Sequence, residues 1–376
     1  MIVPSTITRS PRPSLASVAA PRAQIVETPA MSPVHTSRHV RSLLTAPLVH
    51  DSDLGQIRRL NGEDFPLLKG LSIKRLQLAP GAIREPHWHV NANELGYCLA
   101  GELLLTVVDN GHVVSRFTVT PGQMFFVDNG SLHAIENVGE VEAELIVAFS
   151  HEKPEDFSLH ASMGAMTDAV MGNTYDRPAA AFAQRDRDLG SPYLIRRPGP
   201  AYVPRDAAFA DPHRFDIEAE SPPINFPYGQ ARVSRTQFWP TLKNISMYSI
   251  KVPDDGMREP HWHPTTAEMG YVAEGRARMS ILDPDGSLDT YLLQAGDVYF
   301  IPRAYPHQIE VLSDKIHFLI FFDQPTPGDI GYRLAASALL PDTLAATLGR
   351  AEAPDIPLTT VDPLIVRRIN PLDPVV

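Results

Sequence analysis

Apolar and polar positions alternate over short distances along this chain, and the prevailing period is two. Leu103-Leu104-Leu105-Thr106-Val107-Val108 is a short apolar run, Asp109-Asn110-Gly111 a tight-turn sequence, and Val113 to Val119 a second run. That order predicts strand, turn, strand. Ala277 to Leu282, the turn Asp283-Pro284-Asp285-Gly286 and Tyr291-Leu292-Leu293 predict the same unit again. Helical patterning is confined to two stretches, around Phe157 to Met171 and around Gly331 to Leu348, each after a strand-rich block. Met163, Met166, Val170 and Met171 fit one helical face, suited to packing on a barrel or a neighbouring subunit. The expected architecture is all-β dominated: tandem barrels or sandwiches with short helical appendages.

The stretch from Arg84 to Gly101 reappears from Arg258 to Gly275, 174 positions on. The same offset carries Gly55-Gln56 onto Gly229-Gln230, Gly122 onto Gly296, Phe126 onto Phe300 and His133 onto His307. Two copies of one domain are therefore fused in tandem. The expected division is an N-terminal arm over residues 1–48, a first domain over 49–195 and a second over 196–376. The arm is Pro/Ser-rich with Glu27 as its only acid and reads as disordered. Its His35 and His39, and the adjacent His50, lack ligand spacing. The proline- and alanine-rich stretch from Arg187 to Pro227 connects the copies.

Composition narrows the function classes. Among 376 residues, 44 acids against 33 bases give a formal charge of −11, which disfavours a phosphate-tracking nucleic-acid binder. No apolar run approaches the ~18 residues of a membrane span. Cys98 is the only cysteine, so neither an intramolecular disulfide nor a cysteine zinc site can form, and the residue itself reads as core. A reducing, cytoplasmic location fits. A homo-oligomer without nucleic-acid or membrane partners is the expectation.

The candidate chemistry lies in the repeat. His87 and His89 stand two apart on an expected strand, so both leave one face while Trp88 leaves the other. Glu94 can return on the adjacent stretch and His133 can come from a facing strand. Three imidazoles and one carboxylate make a mixed N/O site with open positions, suited to manganese, iron, nickel, copper or zinc. His261, His263, Glu268 and His307 supply the same set in register in the second copy.

Gly81-x5-His87-x-His89-x4-Glu94-x6-Gly101, followed by Gly122-x5-Asp128-x-Gly130-x2-His133-x3-Asn137, resembles the two cupin motifs in order. The resemblance spans both copies, from about Gly55 to His317, and implies two double-stranded β-helix (jelly-roll) barrels. Within that superfamily, Ala79 to His89 and Gly256 to Pro264 are similar to the oxalate decarboxylase and oxalate oxidase group. That likeness implies manganese in each barrel, two per chain, with iron or another divalent ion as alternatives. It also implies dioxygen as a co-catalyst and a small carboxylate substrate bound to the metal. Arg84 and Arg258 match the group's substrate-polarising arginine, a guanidinium able to hold a carboxylate through two parallel hydrogen bonds.

Decarboxylation of oxalate to formate and carbon dioxide leads among the expected reactions. A metal-dependent dioxygenase, oxidase or isomerase is the second expectation, and a non-catalytic storage-type binding protein the third. Decarboxylating relatives carry a glutamate on a lid before a Phe-x-Leu, here Phe157-Ser158-Leu159, but the lid tetrapeptide is absent. Glu152, Glu155 or Asp156 is the expected replacement acid, with Glu152 or Glu155 preferred and turnover assigned to the first barrel. In the second barrel, Ile320 stands where the group offers a candidate proton donor.

Overall fold

The computed structural model describes residues 37–373; most of the expected arm, residues 1–36, lies outside them. Two barrels follow, each made of two facing antiparallel sheets. In the first, one sheet runs Leu48–Ser52, Gly55–Leu60, Ser72–Leu78, Ala143–Phe149, Glu94–Ala100 and Met124–Val127. The other runs Val114–Val119, Leu103–Val108, Leu132–Asn137, Ala82–His89 and Asp156–Ser158. The second barrel repeats this strand order. The hairpin through Asp109-Asn110-Gly111 forms as its sequence predicts, with Leu103 opposite Val119 and Val108 opposite Val114.

Alternation explains why these segments are strands with one buried face. On Ser72–Leu78, Leu76 and Leu78 point into the first barrel while Ile73 joins a different apolar cluster. Each barrel has its own interior cluster, and a third, containing Phe65, Leu95, Trp239, Met269 and Phe321, fills the seam between them. The two copies thus share a core. Cys98 is fully buried, and burial pushes its thiol up to about 12, as fits a packing residue.

The end of the expected arm is not a tail. Val40–Ser42 pairs antiparallel with Asp297–Tyr299 at the edge of the second barrel, and Val40 and Leu43 are fully buried. The linker reciprocates: Arg214–Phe215, the 174-residue equivalent, pairs with Met124 and Phe125 of the first barrel. Each copy's leading strand therefore covers an open sheet edge of the other copy. Two histidines fix these strands. His39 Nδ1 lies 2.9 Å from the Phe300 carbonyl and His213 Nδ1 lies 2.8 Å from the Phe126 carbonyl, with Asp283 and Asp109 beside their Nε2 atoms. The Arg187–Pro227 connector is also partly structured, because Leu194–Arg196 pairs with Ala82–Arg84.

The helical stretches are each broken in two. Leu159–Ala165 and Asp168–Thr174 are separate helices, the second capped by the Thr167 side chain. Consequently Met171 is buried whereas Met166 and Val170 are exposed, so the four residues do not form one face. No helix among the described residues is long and apolar enough to cross a membrane.

Candidate metal centres

The strand Ala82–His89 sets up the first site by being irregular. Residues three apart on a regular strand face opposite ways, yet Arg84 and His87 are both buried. The reason is a bulge at Glu85-Pro86. His133 stands opposite His87 and Ile135 opposite Arg84, so the partner strand spends two residues where this one spends three. Pro86 has no N–H to give to the ladder, so it suits the break. Glu259-Pro260 does the same between Arg258 and His261.

All four expected ligands of each barrel come together. His87, His89, Glu94 and His133 are at most 3% exposed, and one donor atom from each lies within 4.8 Å of all the others. His261, His263, Glu268 and His307 form the same group. Donors held about 2.1 Å from one ion lie roughly 3–4 Å apart, so only small side-chain shifts are required. The Nδ1 atoms are already engaged: His87 with the Glu85 carbonyl at 2.7 Å, His133 with the Ser131 carbonyl at 3.0 Å, and His89 with Asp156 Oδ1 at 3.0 Å. In the second barrel His261 and His307 face the Glu259 and Tyr305 carbonyls, and His263 Nδ1 is hydrogen-bonded to the Gly328 carbonyl at 3.2 Å with Asp329 Oδ1 2.8 Å away. A proton on Nδ1 leaves the Nε2 lone pair for a ligand.

The electrostatics fit a cation at these points. Burial and then the neighbouring arginine hold His87 and His261 well below the usual histidine range, so both are neutral donors. Burial opposes charge on Glu94 and Glu268, yet the surrounding imidazoles hold both well below the carboxylate range. His263, against its burial, is raised to about 10 by Asp329 and Glu268. The Nε2 atoms of His261 and His307 are buried without a hydrogen-bond partner, a costly state that a metal ion would relieve. The glutamates differ in one respect. Tyr299 donates its hydroxyl to Glu268 Oε1 at 2.7 Å, and Gly270 makes room for that ring. The equivalent ring in the first barrel is Phe125, packed on Gly96, with no hydroxyl to offer.

A cavity of about 200 Å³ opens beside His87 and is lined by Arg84, Lys74, Asp156, Ser158 and Tyr193 among others. Arg84 donates to Asp156 Oδ2 at 3.0 Å and to the Tyr193 carbonyl at 3.3 Å. Asp156 thereby joins the arginine to the candidate ligand His89. Asp329 joins Arg258 to His263 in the same way, and Arg258 also donates to the Leu364 carbonyl at 2.7 Å.

The expected acids fare differently. Glu152 accepts a hydrogen bond from the Gly70 N–H at 2.9 Å, and neither it nor the exposed Glu155 lines the cavity. The chain from Phe149 to Phe157 is short, and Asp156–Ser158 pairs directly with His87–His89, which places Asp156, alone of the three acids, on the cavity wall. Burial opposes its charge, but Lys74, His89 and Arg84 hold its carboxyl well below the usual range. Asp156 is therefore an anion at neutral pH and a poor proton donor. Ile320 is 2% exposed in the second interior cluster, as its apolar strand position requires.

The chain is similar to known proteins. The family model described as Cupin matches residues 42–177 and again 215–355. Oxalate decarboxylase of Bacillus subtilis (strain 168) is 28% identical over 300 residues, 77% of this chain and 76% of that protein. Oxalate decarboxylase of Arthroderma benhamiae is 23% identical over 347 residues, covering 82% and 78%. Oxalate oxidase GF-2.8 of Triticum aestivum is 35% identical, but over 88 residues only, 23% of this chain and 39% of that protein. A solved structure of Bacillus subtilis oxalate decarboxylase at pH 4.6 superimposes with a TM-score of 0.78 at 22% identity, over 88% of this chain and 87% of the other, a likeness of fold.

Proposed function

The chain belongs to the cupin family, and from that premise we propose that it is a metal-dependent enzyme, manganese being the ion, that splits oxalate into formate and carbon dioxide in its first barrel. One observation carries the reading: Arg84 and His87, the latter one of the four clustered candidate ligands, line the same small cavity. A volume of about 200 Å³ suits a ligand of a few heavy atoms better than a sugar or a cofactor. The named activity of the relatives in Bacillus and Arthroderma supports the same substrate.

His87, His89, Glu94 and His133 would hold the ion in the first barrel, and His261, His263, Glu268 and His307 in the second. Bound there, the ion supplies Lewis-acid and one-electron chemistry for a carboxylate. The Arg84 guanidinium, kept in place by Asp156 and the Tyr193 carbonyl, polarises the substrate carboxylate. In the second barrel Arg258 is held in a similar way, by Asp329 and the Leu364 carbonyl. Hydrogen oxalate then loses carbon dioxide by cleavage of its C–C bond, and one proton replaces the lost group on carbon.

A second reading has a specific observation behind it. Carbon protonation wants a protonated acid within reach, and Asp156, the only carboxyl group lining the cavity among the described residues, is an anion. Oxidation of oxalate to two carbon dioxide molecules, with dioxygen reduced to hydrogen peroxide, needs no such step. The deciding experiment feeds oxalate to manganese-loaded protein and measures formate and peroxide together. Formate in proportion to oxalate consumed, lost about 10²-fold in Arg84→Ala, supports decarboxylation. Peroxide without formate would transfer the assignment to the oxidase reading.

A further inference from the structure

Lys74 is an unusual residue for its place. The period-two pattern of Ser72–Leu78 turns it into the barrel with Leu76 and Leu78, and its side chain is only 14% exposed. Its ammonium lies 3.4 Å from Asp156 Oδ2 and 4.7 Å from the centre of the Phe149 ring, which packs edge-on against His89 at 4.9 Å. Among the described residues Asp156 is the only carboxylate within ion-pair reach of Lys74, and the oxygen it offers is the one that Arg84 already contacts at 3.0 Å. Glu85 is a remote second partner for Arg84, at 3.9 Å, and is itself taken up by the Ser158 and Ser191 hydroxyls. Two cations therefore lean on one carboxylate at the wall of the same cavity, which leaves positive charge facing the ligand space. Burial lowers the lysine from its usual range, so a further anion beside it would be welcome.

We propose that Lys74 and Arg84 form a two-cation grip on a carboxylate of a dicarboxylate ligand in the first barrel, with Lys74 as the specificity-determining residue. The grip rests on the reading of the site as one for small carboxylic acids and names the side chain that selects among them. The metal-side carboxylate alone would suit a monocarboxylate; the second carboxylate is what Lys74 rewards. The repeat equivalent of Lys74 is Tyr248, a buried neutral phenol whose hydroxyl faces the Pro327 carbonyl at 3.5 Å. The nearby guanidiniums there belong to Arg258, paired with Asp329, and Arg235. The second barrel therefore lacks the lysine arm.

The test is calorimetric titration of the metal-loaded full chain with oxalate, malonate and acetate, comparing the natural protein with Lys74→Met, Lys74→Tyr and Lys74→Arg. Metal content and circular dichroism establish that the variants are folded and loaded. The expected result is a loss of dicarboxylate affinity of about 10- to 100-fold in the Met and Tyr variants, the worth of one charge-assisted contact, with most of it kept by Arg. Acetate affinity should change by less than about 3-fold in all of them. Lys74-dependent binding of malonate with no binding of oxalate would keep the grip and remove the oxalate assignment. Unchanged dicarboxylate affinity in Lys74→Met, with oxalate still turned over, would overturn the grip and leave the assignment standing. Failure of the natural protein to bind either dicarboxylate would also overturn it.

Discussion

Asp156 faces His89 across two paired strands, with Oδ1 3.0 Å from Nδ1, and its other oxygen holds Arg84 at the same distance. Asp329 and His263 repeat the contact at 2.8 Å. A carboxylate behind a ligating imidazole fixes its tautomer and makes its Nε2 a better donor. Asp156→Asn keeps the shape and removes the charge. It should weaken metal binding in the first barrel by about 10- to 100-fold while leaving the second site near its natural affinity, as read by competition with a chelator. Equal weakening of both sites would mean that Asp156 acts on the fold as a whole.

The histidine clasps make a separate prediction about stability. His39 and His213, equivalent across the repeat, each tie one copy's leading strand to the other copy's barrel through a buried carbonyl. Replacing either by alanine leaves that carbonyl without its imidazole partner, at a cost of about 1–3 kcal/mol. Urea denaturation of His39→Ala and His213→Ala should give losses of that size for both. A neutral His39→Ala would show that the strand Val40–Ser42 is held by its backbone pairing alone.

The clustering of the candidate ligands is legible in the sequence because a strand's period and a 174-residue repeat state them twice: His87 with His261, and His133 with His307. The carboxylates behind them are not. The last long strand pairs Ala143 with Leu78 and Ile316 with Val252, so the offset falls from 174 to 173 just before Asp156 and Asp329. Read at a fixed offset, Asp156 lands on Ile330 and the equivalence disappears. The bulge that turns Arg84 inward depends on Pro86 and on the pairing of a distant strand. His39 looked like part of a tail because its partners, Phe300 and Asp283, lie about 250 residues away. A lysine on a strand ordinarily marks the solvent face, and only the assembled barrel turns Lys74 inward.

Acid should loosen the seam between the barrels through His317. Burial and the Lys251 ammonium push this imidazole down to about 4, with Ser249, Glu218 and the Tyr97 ring also facing it. In the unfolded chain the same group titrates near ~6.5. Above that value both states are neutral. As pH falls towards 4 the unfolded chain takes up a proton that the folded chain refuses, and stability drops by up to about 3 kcal/mol. Glu218, whose folded carboxyl is lowered despite burial by Lys251 and Ser249, adds a loss of the same sign at lower pH. Stability curves of the natural protein and His317→Gln should therefore converge between about pH 6.5 and 4. Parallel curves would assign the acid sensitivity elsewhere.

If each barrel holds one ion on three imidazoles and one carboxylate, the metal content per chain reports it. Elemental analysis of protein purified under metal-replete conditions should give two ions for the natural chain. His87→Ala should give one, and so should His261→Ala, because each change removes a ligand from one group only. The double variant should be empty. One ion or none in the natural chain, or both sites emptied by His87→Ala alone, would rule out two independent ion sites.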